Sequence, residues 1–241
     1  MQLDGRIVKR EDLAISERDQ MFDLMSDYYI NMDRATFESD LAEKRWVILA
    51  TDQEEAQIRG FSTQTLLEVS YRGRPIRALF SGDTIVHRAY WARNPLAKLW
   101  GRFALSLIRR DFSEPLYWFL ITKGYRTYRF LPVFFHEFYP RYDQPTPRWA
   151  RDTIDAFARS KFPDAFDQDS GIVKTSMSGP HLKPGIAEMS SSRLRDPDVR
   201  FFHAMNPGHT RGDELCCIAP LTRENFTAAA YRVIDADVDV R

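Results

Sequence analysis

Between Trp46 and Val86 the chain carries three runs of strand-forming residues, and the last two are joined only by Tyr71-Arg72-Gly73-Arg74-Pro75. Glycine and proline in so short a cluster mark a tight turn, so the runs on either side of it lie antiparallel. The first run, Trp46-Val47-Ile48-Leu49-Ala50, is too short for a core helix and rich in β-formers. The second, Gly60 to Val69, places Phe61, Thr63, Thr65, Leu67 and Val69 on one face. The third, Ile76 to about Val86, holds Gly82 in its interior. An interior strand glycine marks a bulge or a close approach to the backbone; a glycine merely tolerated in a long strand is the competing reading.

Helices surround these strands. Ser16 is placed to cap a helix with Met21, Leu24, Met25 and Tyr28 at helical spacing, and a second helix from near Asp33 buries Phe37 and Leu41. Asn94-Pro95 is a helix start, followed by the apolar stripe Leu96, Leu99, Trp100, Phe103 and Leu107. Leu116 to Ile121 reads as a buried strand ended by Thr122-Lys123-Gly124. The helix between the last two strands is a right-handed crossover, which makes those strands parallel. Tyr128 to Tyr139 is expected to be helical in its second half, from near Arg129, because Pro132 fits only a first turn.

The character changes after residue 145. Thr146-Pro147 opens a helix to about Lys161 that buries Ala150, Ile154, Phe157 and Ala158, and Ile172 to Thr175 is a short strand. Residues 176–195, rich in Ser, Gly and Pro, read as loop. Val199 to Met205 and Glu214 to Ala219 read as two strands around a hairpin loop, Asn206 to Asp213. The expectation is an α/β chain of α+β character: a core over 1–145 with a mixed, mostly antiparallel sheet, and a C-terminal extension over 146–241 packed on it.

Composition narrows the function classes. Of the 241 residues, 34 are Lys or Arg and 34 are Asp or Glu, so the formal net charge is zero. Phosphate neutralisation favours a basic excess, so nucleic acid is not expected as the main partner. No stretch approaches the roughly 20 apolar residues that cross a bilayer, and the first residues have no signal-peptide core. The two cysteines, Cys216 and Cys217, are adjacent and poorly placed to pair, which fits a reducing, cytoplasmic setting. His203, His209, Asp213, Glu214, Cys216 and Cys217 match no zinc-ligand spacing, and no metal is expected.

The order of elements and the segment from Asp83 to Tyr139 resemble the GNAT superfamily of acyltransferases over roughly Ser16 to Tyr142. That resemblance implies a bulged strand splayed from its neighbour, with an acyl-pantetheine arm hydrogen-bonded in the cleft, and Gly82 sits where the bulge belongs. The family's pyrophosphate loop, usually Arg/Gln-x-x-Gly-x-Gly/Ala, falls on Trp91 to Lys98. Asn94-Pro95 and Leu96-Ala97 stand there in place of the glycines. The helix start remains, with Arg88, Arg93 and Lys98 around it as candidate anion contacts beside Asn94 and Gly82. In the last helix the family's Asn-x-x-Ala-x-x-x-Tyr aligns with Thr127 and Phe134, so its usual acidic tyrosine is missing.

Acyl transfer from a thioester requires a nucleophile freed of its proton, a stabilised oxyanion and a proton for the leaving sulfur. Asp83 beside the bulge and His87 at the strand end are the candidate bases. Tyr125 and Tyr128 are the candidate proton donors. The aromatic run Tyr128, Phe130, Phe134, Phe135, Phe138 and Tyr139 either lines an acyl tunnel or packs the core. His209 and Arg211, in the polar Asn206–Asp213 loop, are the candidate acceptor contacts. The expected activity is N-acyl transfer to a small amine, with acyl-CoA or an acyl-phosphopantetheine carrier protein as co-substrate and no tightly held cofactor. For a carrier protein, Arg93, Lys98 and Arg102 would meet its acidic helix. The alternatives are other thioester chemistry, such as hydrolysis or decarboxylation, and a non-catalytic binding protein on the same scaffold.

Overall fold

In a computed structural model, residues 3–91, 95–109, 114–176, 179–186 and 191–235 are described. The chain opens with strand β1 (Leu3–Lys9), helix α1 (Ile15–Tyr28), the two-residue strand β2 (Tyr29–Ile30) and helix α2 (Arg34–Ala42). Strands β3 (Trp46–Asp52), β4 (Gln57–Tyr71) and β5 (Arg74–Val86) follow, then helix α3 (Leu96–Ile108) and strand β6 (Leu116–Thr122). Two short helices come next, α4 (Tyr125–Tyr128) and α5 (Phe130–Phe134), and then α6 (Arg148–Lys161). The last third contains β7 (Phe166–Asp167), β8 (Ile172–Val173), β9 (His181–Leu182), α7 (Pro197–Met205), β10 (Glu214–Pro220) and α8 (Ala228–Ile234).

Among the described residues, eight strands form one sheet in the order β1-β3-β4-β5-β6-β10-β8-β7. Its one parallel ladder there is β5 with β6, the pair joined through α3; the other neighbours are antiparallel. The β4–β5 turn places Arg72 at φ 52° and Gly73 at φ 74°, the two left-handed residues that a two-residue hairpin of matching twist requires. The sheet is a mixed, mostly antiparallel one with helices on both faces. Alternation along the strands divides the core between those faces: Ile48 and Ala50 join the side of α3, α7 and α8, whereas Val47 and Leu49 meet α1 and α2. Under α6 lie Phe80, Phe119, Cys216 and Ile218. The adjacent cysteines are both buried, on opposite faces of β10.

Four sequence expectations are corrected. Ser16 lies within α1, and the exposed N–H of Ala14 is met instead by the Glu17 carboxylate at 3.0 Å. Residues 128–139 are not helical in their second half. The helix ends at Phe134 because the following amides are taken by the C-terminal segment, His136 N–H by the Asn225 carbonyl and Tyr139 N–H by Ile218. Val199 to Met205 is a helix rather than a strand: Asp196 accepts from the Asp198 N–H and Pro197 occupies the first turn, a start signal of the same kind as Asn94-Pro95. Asn206 to Asp213 is therefore not a hairpin loop; it links α7 to β10 through a single 3-10 turn.

Candidate active site

The register of β4 and β5 slips at Gly82. Ser62 pairs with Thr84 and Gln64 with Ser81, so two steps along β4 oppose three along β5. An extra residue of this kind bends the strand and strengthens its twist. The parallel ladder to β6 ends just there, with Ser81 opposite Leu120. From Gly82 to Val86 the far edge of β5 has no strand partner among the described residues, while β6 turns its other edge to β10. The two strands thus part and open a cleft of about 550 Å³, lined on one side by Gly82 to Val86 and on the other by Ile121 to Thr127.

The end of α1 and β2 bring Tyr28 and Tyr29 to this cleft, α2 and the residues after it bring Asp40 and Lys44, and the end of α6 brings Lys161 and Phe162. The C-terminal third adds Thr175, Pro180, Leu182, Ile186 and Glu214. The β2–β9 pairing, Tyr29 with Leu182 and Ile30 with His181, ties that last segment across the end of α1. Charges in the cleft are mixed. Lys123 at the end of β6 and Glu214 at the start of β10 form an ion pair at 3.4 Å, with side chains only 17% and 19% exposed. The Lys123 ammonium also lies 5.1 Å from the centre of the Tyr29 ring.

Burial disfavours the ammonium of Lys123, but the carboxylates of Glu214 and Asp83 and the Tyr29 phenol outweigh it, so its pKa stands above the ordinary value. Burial raises Glu214 despite the attraction of Lys123. The Tyr29 phenol is pushed up to about 12, by burial first and by the Asp83 and Glu214 carboxylates against the pull of Lys123. Asp83, Tyr29, Lys123 and Glu214 are therefore one electrostatic cluster around the bulge. No group of three His, Cys, Asp or Glu side chains suited to a metal occurs among the described residues.

The sequence candidates fall into two groups. Gly82, Asp83 and Tyr125 line the cleft. The other described candidates lie elsewhere. Tyr128 is fully buried and its hydroxyl donates to the Pro140 carbonyl at 2.9 Å. His87 packs edge-on to Tyr28 and near Tyr90, its Nδ1 accepting from the Ala89 N–H. Arg88 is exposed and its backbone N–H donates to the Tyr28 hydroxyl. Lys98 lies within α3, where burial and then Arg102 hold its pKa below the ordinary value; Arg102 itself donates to the Ile234 carbonyl. Arg93 and Asn94 lie outside the described residues.

His209 is buried against Phe202 and His203, and Arg211 is exposed on the same turn. Neither lines the cleft. Their loop acts from behind, through Asp213 and Gly212, which accept from the N–H and hydroxyl of the cleft residue Thr175. Of the aromatic run, Phe130 reaches the cleft, whereas Tyr128, Phe134, Phe135 and Phe138 fill the core.

Sequence reasoning missed Tyr29, Asp40, Lys44, Lys123 and Glu214. Lys123 and Glu214 carried a usable signal, each a charged residue abutting an apolar strand. Tyr29, Asp40 and Lys44 carry no such signal.

No family model matches this chain, and no curated protein matches it. Among solved structures it is similar to a "probable N-acyltransferase" from Enterococcus faecalis V583, at TM-score 0.42 and 16% identity over 56% of this chain. The match takes in 33% of the enterococcal chain, a third of its length. It is also similar to the GNAT family N-acetyltransferase YhbS from Escherichia coli in complex with CoA, at TM-score 0.35 and 15% identity over 56% of this chain and 69% of that one. An acyl-CoA N-acyltransferase from Pseudomonas aeruginosa gives TM-score 0.35 and 14% identity over 58% and 93%.

Proposed function

We propose that the chain is an N-acyltransferase that moves an acyl group from a thioester, acyl-CoA in the first instance, to a small amine. The observation that carries this reading is the parting of β5 from β6 at the Gly82 bulge. It leaves strand backbone without a ladder partner along a cleft, and an amide-bearing pantetheine arm can supply the missing hydrogen bonds. The mixed charges at the same place favour a polar acceptor over an apolar one.

In this reading the amine nitrogen attacks the thioester carbonyl carbon and passes a proton to Asp83, directly or through water. The tetrahedral intermediate collapses with cleavage of the carbon–sulfur bond, and the leaving thiolate takes a proton from Tyr125. Lys123, paired with Glu214 at 3.4 Å, offsets negative charge beside the bulge. The C-terminal residues Thr175, Pro180, Leu182 and Ile186 add to the cleft wall, and in this reading they would meet the acceptor.

Thiol release from acetyl-CoA and longer acyl-CoAs, with a panel of amines and with an acyl-carrier protein as alternative donor, tests this. Asp83→Asn is expected to lower turnover about 10²- to 10⁴-fold, the usual range for a general base. Absence of binding and turnover with every donor would refute the reading.

A further inference from the structure

Behind the bulge runs a continuous line of buried hydrogen bonds. Trp100 on α3 and Trp118 on β6 both direct their indole N–H groups at Ser81 Oγ, at 3.2 and 2.9 Å. Ser81 donates to Gln64 Oε1 at 2.7 Å, and Gln64 Nε2 donates to Ser62 Oγ at 2.7 Å. Ser62 in turn lies 2.7 Å from Thr84 Oγ1, in the cleft. Gln64, Ser81 and Ser62 are 0%, 3% and 5% exposed, whereas Thr84 is exposed.

The polarity of this line follows from its start. An indole N–H can only donate, so two of them fill the lone pairs of Ser81, whose proton then goes to Gln64 Oε1. That fixes the amide orientation, and Ser62 receives the Nε2 proton. Were Thr84 to donate to Ser62 as well, the Ser62 proton would be buried without an acceptor among the described residues, at a cost of about 1–3 kcal/mol. Ser62 therefore donates to Thr84. With its oxygen occupied from behind, Thr84 is left to donate into the cleft; besides Ser62, its partner among the described residues is the Gly82 carbonyl at 3.5 Å, too long for a strong bond.

We infer that Thr84 is a ligand-contacting residue whose hydroxyl, set as a donor by the Trp–Ser–Gln–Ser line, binds the carbonyl oxygen of the acyl thioester. This rests on the acyltransferase reading above, and follows from the place of Thr84 on the stretch of β5 beyond its ladder to β6, which lines the cleft where the thioester would lie. Polarised chains of this kind strengthen the terminal donor, and the donor needs no reorientation when the ligand arrives.

Calorimetric titration with acetyl-CoA and with CoA, which lacks the thioester carbonyl, separates the possibilities. Thr84→Val is expected to weaken acetyl-CoA about 2- to 12-fold, the range for one neutral hydrogen bond. CoA binding should stay unchanged, showing an intact cleft, and Thr84→Ser should restore acetyl-CoA binding. Ser62→Ala, which frees the Thr84 hydroxyl to rotate, should give a smaller loss in the same direction. Equal acetyl-CoA affinity in wild type and Thr84→Val, or equal losses for acetyl-CoA and CoA, would overturn the inference while the acyltransferase reading stood. An unaltered Ser62→Ala would overturn the relay. If the wild type bound neither ligand, the acyltransferase reading itself would fall and the role of Thr84 with it.

Discussion

Lys44 lies across Gly82: a β-carbon on that glycine would stand 2.5 Å from the lysine Cε and 2.7 Å from Thr63 Oγ1. The lysine is almost wholly buried and its ammonium donates to the Asp40 carbonyl at 2.8 Å. Its stem thus covers the bulge as part of the cleft wall. Gly82→Ala is expected to displace Lys44 and press on the stiff, buried Thr63, costing about 1–3 kcal/mol as an overpacked core substitution does. Urea unfolding measures it; an unchanged midpoint would mean that the lysine simply swings away.

The two sequence-derived tyrosines should separate cleanly. Tyr128 holds a buried carbonyl, that of Pro140. Tyr128→Phe leaves that acceptor unpaired and is expected to lower stability by about 1–3 kcal/mol with turnover per folded molecule unchanged. Tyr125→Phe should do the reverse, lowering turnover with little change in the unfolding midpoint. Loss of turnover in a fully folded Tyr128→Phe protein would reinstate Tyr128 as a proton donor.

Lys123→Met would leave Glu214 without its counter-charge in a largely buried place. The expected loss is about 1–3 kcal/mol, less than the 3–5 of a fully dry pair because both side chains keep some solvent. The double variant with Glu214→Met should recover part of it, since the stranded carboxylate is then gone. A double variant less stable than Lys123→Met alone would contradict this account.

Acid should weaken the fold through His209. Burial, and then the neighbouring His203, lower its pKa, and its Nδ1 has no hydrogen-bond partner among the described residues. The unfolded chain therefore takes up a proton near pH 6.5 while the folded one refuses it. Stability present above that value is lost as pH falls toward the lowered folded pKa. Urea midpoints between pH 7.5 and 5 should drop in the wild type and drop less in His209→Phe, which keeps a ring against Phe202. Parallel curves would exclude His209 as the source.

Much of the first 122 residues was legible because local signals there agree with the tertiary outcome. The turn at Arg72-Gly73 set the β4–β5 pairing, the apolar stripe of α3 marked the crossover, and Gly82 marked the bulge. Legibility failed where a distant segment decided the backbone. The amides after Phe134 are claimed by Asn225 and Ile218, and no feature within 128–139 announces that. Val199 to Met205 misled because β-branched and aromatic residues outweighed the Asp196-Pro197 start. The cleft was half legible: residues on β5 could be named from the strand itself, but Tyr29, Lys123 and Glu214 converge from three elements whose contact depends on the sheet order.

The outer edge of β6 is covered by β10, from Tyr117 against Pro220 to Thr122 against Leu215. During synthesis about 90 residues separate these two strands, which at about 5–20 residues per second is a wait of several seconds or more. Over that interval the run Leu-Tyr-Trp-Phe-Leu-Ile-Thr has no partner on that edge, and it is apolar, uncharged and free of proline. The growing chain is thus aggregation-prone while it already holds the strands that form the cleft, and its yield in a cell should depend on what shields β6 until β10 leaves the ribosome.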